Sequence, residues 1–189
     1  MKKNGILKLG IVLLTIAGVC GLLLGYVNQV TAEPIAVQEE KTINEANKEI
    51  FPEASTFEEK KDVELPEGII SLTEGKEGSE VKGYTIKVAP KGYGGAIELM
   101  IGISKEGKLS GIKILSHAET PGLGANAVNP EFSGQYKGKP AEELKVVKGA
   151  ASKDNEVAAI TGATITSKAV TSGVNEAIEF YNSKLKGGN

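Results

Sequence analysis

Hydrophobic positions divide the chain at its first acidic residue. From Leu9 to Ala32 nothing is charged, and Leu9 to Val27 (LGIVLLTIAGVCGLLLGYV) is an unbroken apolar and small-residue run. About 20 such residues cross a bilayer as a helix. Lys2, Lys3 and Lys8 precede the run and Glu33 follows it. The positive-inside rule therefore puts the N-terminus in the cytoplasm and everything after Glu33 on the outer face. Residues 1–32 are thus read as a cytoplasmic N-terminus and transmembrane helix, with lipid as a partner. The competing reading is a cleaved signal peptide, for which Val30-Thr31-Ala32 supplies small residues. The run exceeds a signal peptide's usual apolar length, which favours a retained anchor. A lipoprotein reading is weak because Val19, before Cys20, is not small.

Residues 33–64 read as a helical connector: Ile43, Ala46 and Ile50 fall at helical spacing, and Pro52 ends the pattern. The run Glu58-Glu59-Lys60-Lys61-Asp62 reads as a solvated face or linker. Residues 65–189 have the pattern of a compact domain. Tyr84, Ile86 and Val88 alternate with Thr85 and Lys87, predicting a half-buried strand. Ile97, Leu99, Ile101 and Ile103 alternate again, followed by the turn signal Lys105-Glu106-Gly107-Lys108 and then Ile112 and Ile114. That predicts an antiparallel hairpin. Glu156 to Ile160 offers another short strand. Val170, Val174, Ala177, Ile178, Tyr181 and Leu185 recur at three- and four-residue steps, an amphipathic helix closed by Gly187-Gly188. Strands followed by a packed helix predict an α+β domain with an antiparallel sheet, and roughly 120 residues suffice for one core.

Composition narrows the chemistry. Of 22 basic residues, three precede the apolar run, leaving 19 lysines against 24 acidic residues and a net charge of −5 beyond it. Arginine is absent from the chain. Nucleic acid is an unsuitable partner for such a surface, and any phosphate must be held by backbone N–H groups, hydroxyls or lysine. Beyond the apolar run there is no cysteine, and only His117 and Met100 could ligate a soft metal or haem. Iron–sulfur clusters, paired haem ligands and structural zinc all lack their donors. If the domain carries electrons, an organic cofactor carries them.

Two runs hold the candidate chemistry. Thr161-Gly162-Ala163-Thr164-Ile165-Thr166-Ser167 immediately precedes the helical pattern. Free N–H groups and the macrodipole make a helix start an anion site. No base flanks Thr164, so it is a poor nucleophile by itself; it suits an acceptor modified by another enzyme. Gly162 and Ala163 would keep its hydroxyl open, while Thr161, Thr166 and Ser167 could cradle a phosphate. An ordinary capped helix, with Thr166 or Ser167 as N-cap, is the plain alternative. The second run is His117-Ala118-Glu119-Thr120-Pro121-Gly122-Leu123-Gly124. Pro121 and Gly122 predict a tight turn, and Gly124 permits close approach. Glu119 either orients this loop or contacts a cofactor. His117 suits a backbone hydrogen bond, and Tyr93 either packs a turn or stacks on a ring.

Together the runs resemble the covalent FMN-binding domain, with Thr-Gly-Ala-Thr as its flavinylation motif and Glu-Thr-Pro-Gly-Leu-Gly as its flavin-bordering loop. Pro90-Lys91-Gly92-Tyr93-Gly94-Gly95, the Gly-Ile-Lys-Ile stretch from Gly111 and the N-terminal anchor extend the resemblance over about residues 1–185, to the G subunit of Rnf complexes. That resemblance implies FMN attached through a phosphoester to Thr164, with Glu119, Thr120, Pro121, Gly122, Leu123 and Gly124 walling the cofactor. It implies a flavin transferase for maturation and other Rnf-type membrane and redox subunits as partners. The complex would link ferredoxin and NAD to sodium or proton translocation, and this chain alone would not turn over NADH. The family motif has an acidic residue where this chain has Ala158, either a recognition feature for the transferase or a brace for the loop. Two further readings stay open: a flavinylated carrier in another extracytoplasmic electron-transfer chain, and a non-redox anchored module for a phosphorylated ligand.

Overall fold

The computed structural model describes residues 3–187; Lys2 and Gly188 lie outside them. Helix α1 runs from Lys3 to Ile50 with Pro34 inside it. The expected membrane helix and the connector helix are therefore one continuous element. Proline removes a single intrahelical hydrogen bond, and Ala32, Glu33 and Ala36 beside it favour helix. From Gly5 the side chains of the apolar run are exposed, and the segment is long and apolar enough to cross a membrane.

The chain divides into two compact units, one up to Thr42 and one from Ile43 onward. The second contains a five-stranded antiparallel meander, β1 (Thr56–Glu59), β2 (Ile69–Glu77), β3 (Glu80–Val88), β4 (Glu98–Ser104) and β5 (Leu109–Ser116), in that spatial order. The predicted hairpin is β4–β5, with Ile101 opposite Ile112. Two short strands, β6 (Lys145–Val147) and β7 (Glu156–Ala158), pair in parallel. A short helix α2 (Pro130–Ser133) lies between β5 and β6, and α3 (Thr164–Phe180) follows β7, ending in a π turn at Tyr181–Leu185.

Both faces of the sheet are covered. Leu72, Ile86, Val88, Leu99, Ile101 and Ile103 form the main core with Val170, Val174, Ala177 and Ile178 of α3. On the other face the end of α1, with Ala46, Ile50 and Phe51, packs around Met100 and against Phe57 and Leu115. A Cβ at Gly83 would meet the Phe51 ring at 2.6 Å, so this face admits the phenyl ring only over glycine. The half-buried strand expected at Tyr84–Val88 is corrected accordingly: Thr85 and Lys87 are buried as well. β1, which pairs with β2, and the end of α1 belong to the sheet unit, so its compact part starts ahead of Leu65.

Candidate functional site

The site forms where three segments meet at the start of α3. Its first wall is the turn that launches the helix. The Ala163 N–H donates to the Ile160 carbonyl at 3.0 Å, and Gly162 sits at φ 78°, a left-handed conformation that glycine adopts without strain. A Cβ there would also press on Leu123 at 3.0 Å. Thr164 is the first helical residue, with Ala163 in the N-cap position and no side-chain cap bond. The expected cap by Thr166 or Ser167 is therefore corrected: the helix starts earlier, placing both hydroxyls inside the first turn. Ser167 Oγ donates to the Ala163 carbonyl at 3.0 Å and accepts the Ile160 N–H at 2.9 Å, locking the turn from within. The first intrahelical bond, Ser167 N–H to Ala163 carbonyl, leaves the N–H groups of Thr164, Ile165 and Thr166 without an intrahelical carbonyl.

The second wall is the loop after β5. The Leu123 N–H donates to the Thr120 carbonyl at 3.1 Å, with Pro121 and then Gly122 at φ 77° between them. That is the residue signature of a type II turn. The third wall is the loop Pro90–Ile97, pinched by the Gly92 N–H to Gly95 carbonyl bond at 2.7 Å, with Tyr93 72% exposed at its tip.

Glu119 joins all three walls. One carboxylate oxygen accepts the Gly94 N–H at 2.9 Å and the other accepts the Thr166 hydroxyl. The Tyr93 backbone contributes as well. The Glu119 N–H donates to His117 Nδ1 at 3.2 Å, the backbone role expected of that histidine. Burial pushes the Glu119 carboxyl up, but the bonds from Thr166, Gly94 and Tyr93, aided by His117, hold it below its usual value. Side chains at Gly92 or Gly124 would strike this carboxylate, and one at Gly94 would strike the Ala118 carbonyl. The glycines are thus the space in which a buried carboxylate is tied down.

What remains open is a cleft of about 630 Å³ lined by Tyr93, Glu119, Thr120, Leu123, Gly124 and residues 162–166. It falls within the range of small-molecule sites, about 300–1,000 Å³. Tyr93, Leu123 and Ile165 expose large apolar side chains at it. The structure brings together Gly162, Ala163, Thr164, Thr166, Glu119, Thr120, Leu123 and Gly124. It does not bring Ser167, Thr161, Pro121 or Gly122 into the lining: Ser167 is buried in the turn, and the other three are exposed outside the cleft. Ala163 is buried, so its small size serves packing beneath the turn.

Two contributors escaped the sequence reading. Ile165 sits mid-motif, where helical periodicity gives no hint that it faces a cleft. Gln135, in the turn after α2, accepts the Ala158 N–H at 2.8 Å and donates to the Ala158 carbonyl at 3.2 Å, so its side-chain amide satisfies the backbone at the end of β7. It braces the backbone three positions before Thr161.

Known proteins resemble this chain. Residues 92–179 match the FMN-binding domain family and residues 1–50 match the RnfG N-terminal region. The chain is 43% identical to the G subunit of the Na(+)-translocating ferredoxin:NAD(+) oxidoreductase complex of Acetobacterium woodii, covering 96% of this chain and 94% of that protein. It is 40% identical to the G subunit of the proton-translocating ferredoxin:NAD(+) oxidoreductase complex of Clostridium ljungdahlii, over 85% and 83% of the two chains. Among solved structures, the C subunit of the Na(+)-translocating NADH-quinone reductase from Parabacteroides distasonis superposes with a TM-score of 0.55 at 26% identity, covering 63% of this chain and 64% of that one.

Proposed function

The chain belongs to the family of G subunits of ion-translocating oxidoreductase complexes, and on that premise we propose that it is a membrane-anchored electron carrier whose FMN is covalently bound through a phosphoester to Thr164. The observation that carries the reading is the position of Thr164: first residue of α3, partly exposed, at the edge of the 630 Å³ cleft and beside unpartnered helix N–H groups. The donor set fits a flavin mononucleotide. The helix start suits its phosphate, Thr120 offers a hydroxyl to its polar chain, and Tyr93, Leu123 and Ile165 offer apolar surface to a ring.

FMN would supply the redox chemistry. The chain supplies position and burial. No side chain in the cleft is placed as an acid–base catalyst, because both Glu119 oxygens are committed to Gly94 and Thr166. A flavin transferase would load the acceptor. The first residues, with Lys3 and Lys8, would lie in the cytoplasm and the cleft-bearing unit outside it. Anchored beside other subunits of an Rnf-type complex, the flavin would exchange electrons at high effective concentration, within a ferredoxin:NAD oxidoreductase coupled to ion movement.

The test is in-gel fluorescence after denaturation, for protein produced with and without a flavin transferase. The fluorescent band is expected only with the transferase. It should vanish in Thr164→Val, which removes the acceptor hydroxyl at nearly constant volume. A fluorescent Thr164→Val band would refute the tether.

A further inference from the structure

A phosphoester on Thr164 keeps one negative charge, and the structure narrows what can balance it. Thr166 is engaged with Glu119, and Ser167 with Ile160 and Ala163. Neither hydroxyl is left for a phosphate. No arginine exists in the chain. The residues lining the cleft, Tyr93, Glu119, Thr120, Leu123, Gly124 and 162–166, include one carboxylate, the buried Glu119. No lysine lines the cleft, and the two nearest to its lining in sequence are Lys91 and Lys168. A cluster of acidic groups would repel a bound phosphate; the cleft lining holds none.

We propose that Lys168 is the counter-charge of the flavin phosphate, an inference that rests on the covalent-flavin reading above. Lys168 is the fourth residue after Thr164 on α3, hence on the same face and about 6 Å along the axis. Helical side chains lean toward the helix N-terminus, so the lysine stem runs back toward the threonine hydroxyl. Lys168 is exposed, and it makes no ion pair among the described residues. Lys91 sits on a separate loop, in the bridge to Ala96, and shares no face with the acceptor. Backbone N–H groups at the helix start would hold the phosphate oxygens from one side and Lys168 from the other.

The test uses the full chain loaded by a flavin transferase. Its phosphodiester is followed by 31P NMR in a phosphate-free detergent while sodium chloride is raised toward 1 M, where screening acts within about 3 Å. In wild type and Lys168→Arg the resonance is expected to start displaced from that of the denatured flavoprotein, and to move toward it with salt. In Lys168→Gln it should start near the screened position and stay there. If Lys168→Gln takes no flavin while Lys168→Arg does, the charge acts already at loading, which also supports the inference. A salt titration of Lys168→Gln that matches wild type overturns it, as does loss of flavin in both variants. Absence of covalent flavin from wild type would instead sink the tether itself.

Discussion

At the scale of single residues, Glu119 is what makes the site one object. Its carboxylate spans loops distant in sequence and the first turn of α3. Replacing it by glutamine keeps the shape but removes the charge and one acceptor, so either the Gly94 N–H or the Thr166 hydroxyl loses its partner. Hydrogen bonds to charged groups contribute about 1.5–3 kcal/mol each. Glu119→Gln is therefore expected to lower domain stability by about 1–3 kcal/mol and to reduce flavin occupancy. Because the folded-state carboxyl lies below its ordinary value, its contribution is full above the unfolded value near 4.3 and fades as pH falls through the lower folded one. Melting temperatures of wild type and Glu119→Gln should differ by a constant amount from pH 7 to about 5.5 and converge in more acid buffer. A gap that widens with acidity would contradict this. The sequence marks Glu119 as a candidate to orient its loop or contact a cofactor, but not the partners that fix it. The turn chemistry of Pro121-Gly122 and the helix start at Thr164 are local, and could be read. The pairing of Glu119 with Thr166 spans 47 residues and depends on how α3 packs.

Among elements, the end of α1 and the clamp on β7 carry the expectations. Periodicity exposed the β4–β5 hairpin and α3, whose apolar positions repeat cleanly. It missed β2, whose buried positions run consecutively from Leu72 to Gly75 and whose register shifts between Ile69 and Ser71 and again between Gly75 and Lys76. It also placed the domain's start at Leu65, because the burial of Ile50 and Phe51 depends on Gly83 and Gly102 across the sheet. Phe51→Ala is expected to destabilise the domain by about 3–5 kcal/mol, the usual cost of deleting a fully buried ring; thermal unfolding of the full chain in detergent measures it. Gln135→Leu should leave the Ala158 N–H without its partner and loosen the approach to Thr164. Flavin loading should fall while α3 helicity persists, and Ala158→Asp in the Gln135→Leu background asks whether a carboxylate can take over the bracing. Unchanged loading in Gln135→Leu would show that β7 needs no clamp.

For the whole molecule, the chain combines an exposed apolar helix with a domain of net negative charge that carries one cleft lined by a single, buried carboxylate. Composition withholds the donors that metal-based electron carriers need, and the two motifs supply most of the cleft's lining. They could not show how the hydroxyls of the motif divide: Ser167 is buried in the turn, Thr166 lines the cleft with its hydroxyl engaged by Glu119, and Thr164 is partly exposed there. Mild detergent extraction should therefore release the protein together with integral membrane subunits, and recovery of a fully flavinylated chain by itself would separate it from an Rnf-type complex. The most direct measurement is peptide mass mapping of the full chain produced with its flavin transferase. The peptide spanning Thr161 to Lys168 is expected to carry one FMN phosphoester, localised by fragmentation to Thr164. An unmodified peptide from protein whose flavin washes away on denaturation, or a flavin localised to Thr161, Thr166 or Ser167, would contradict it.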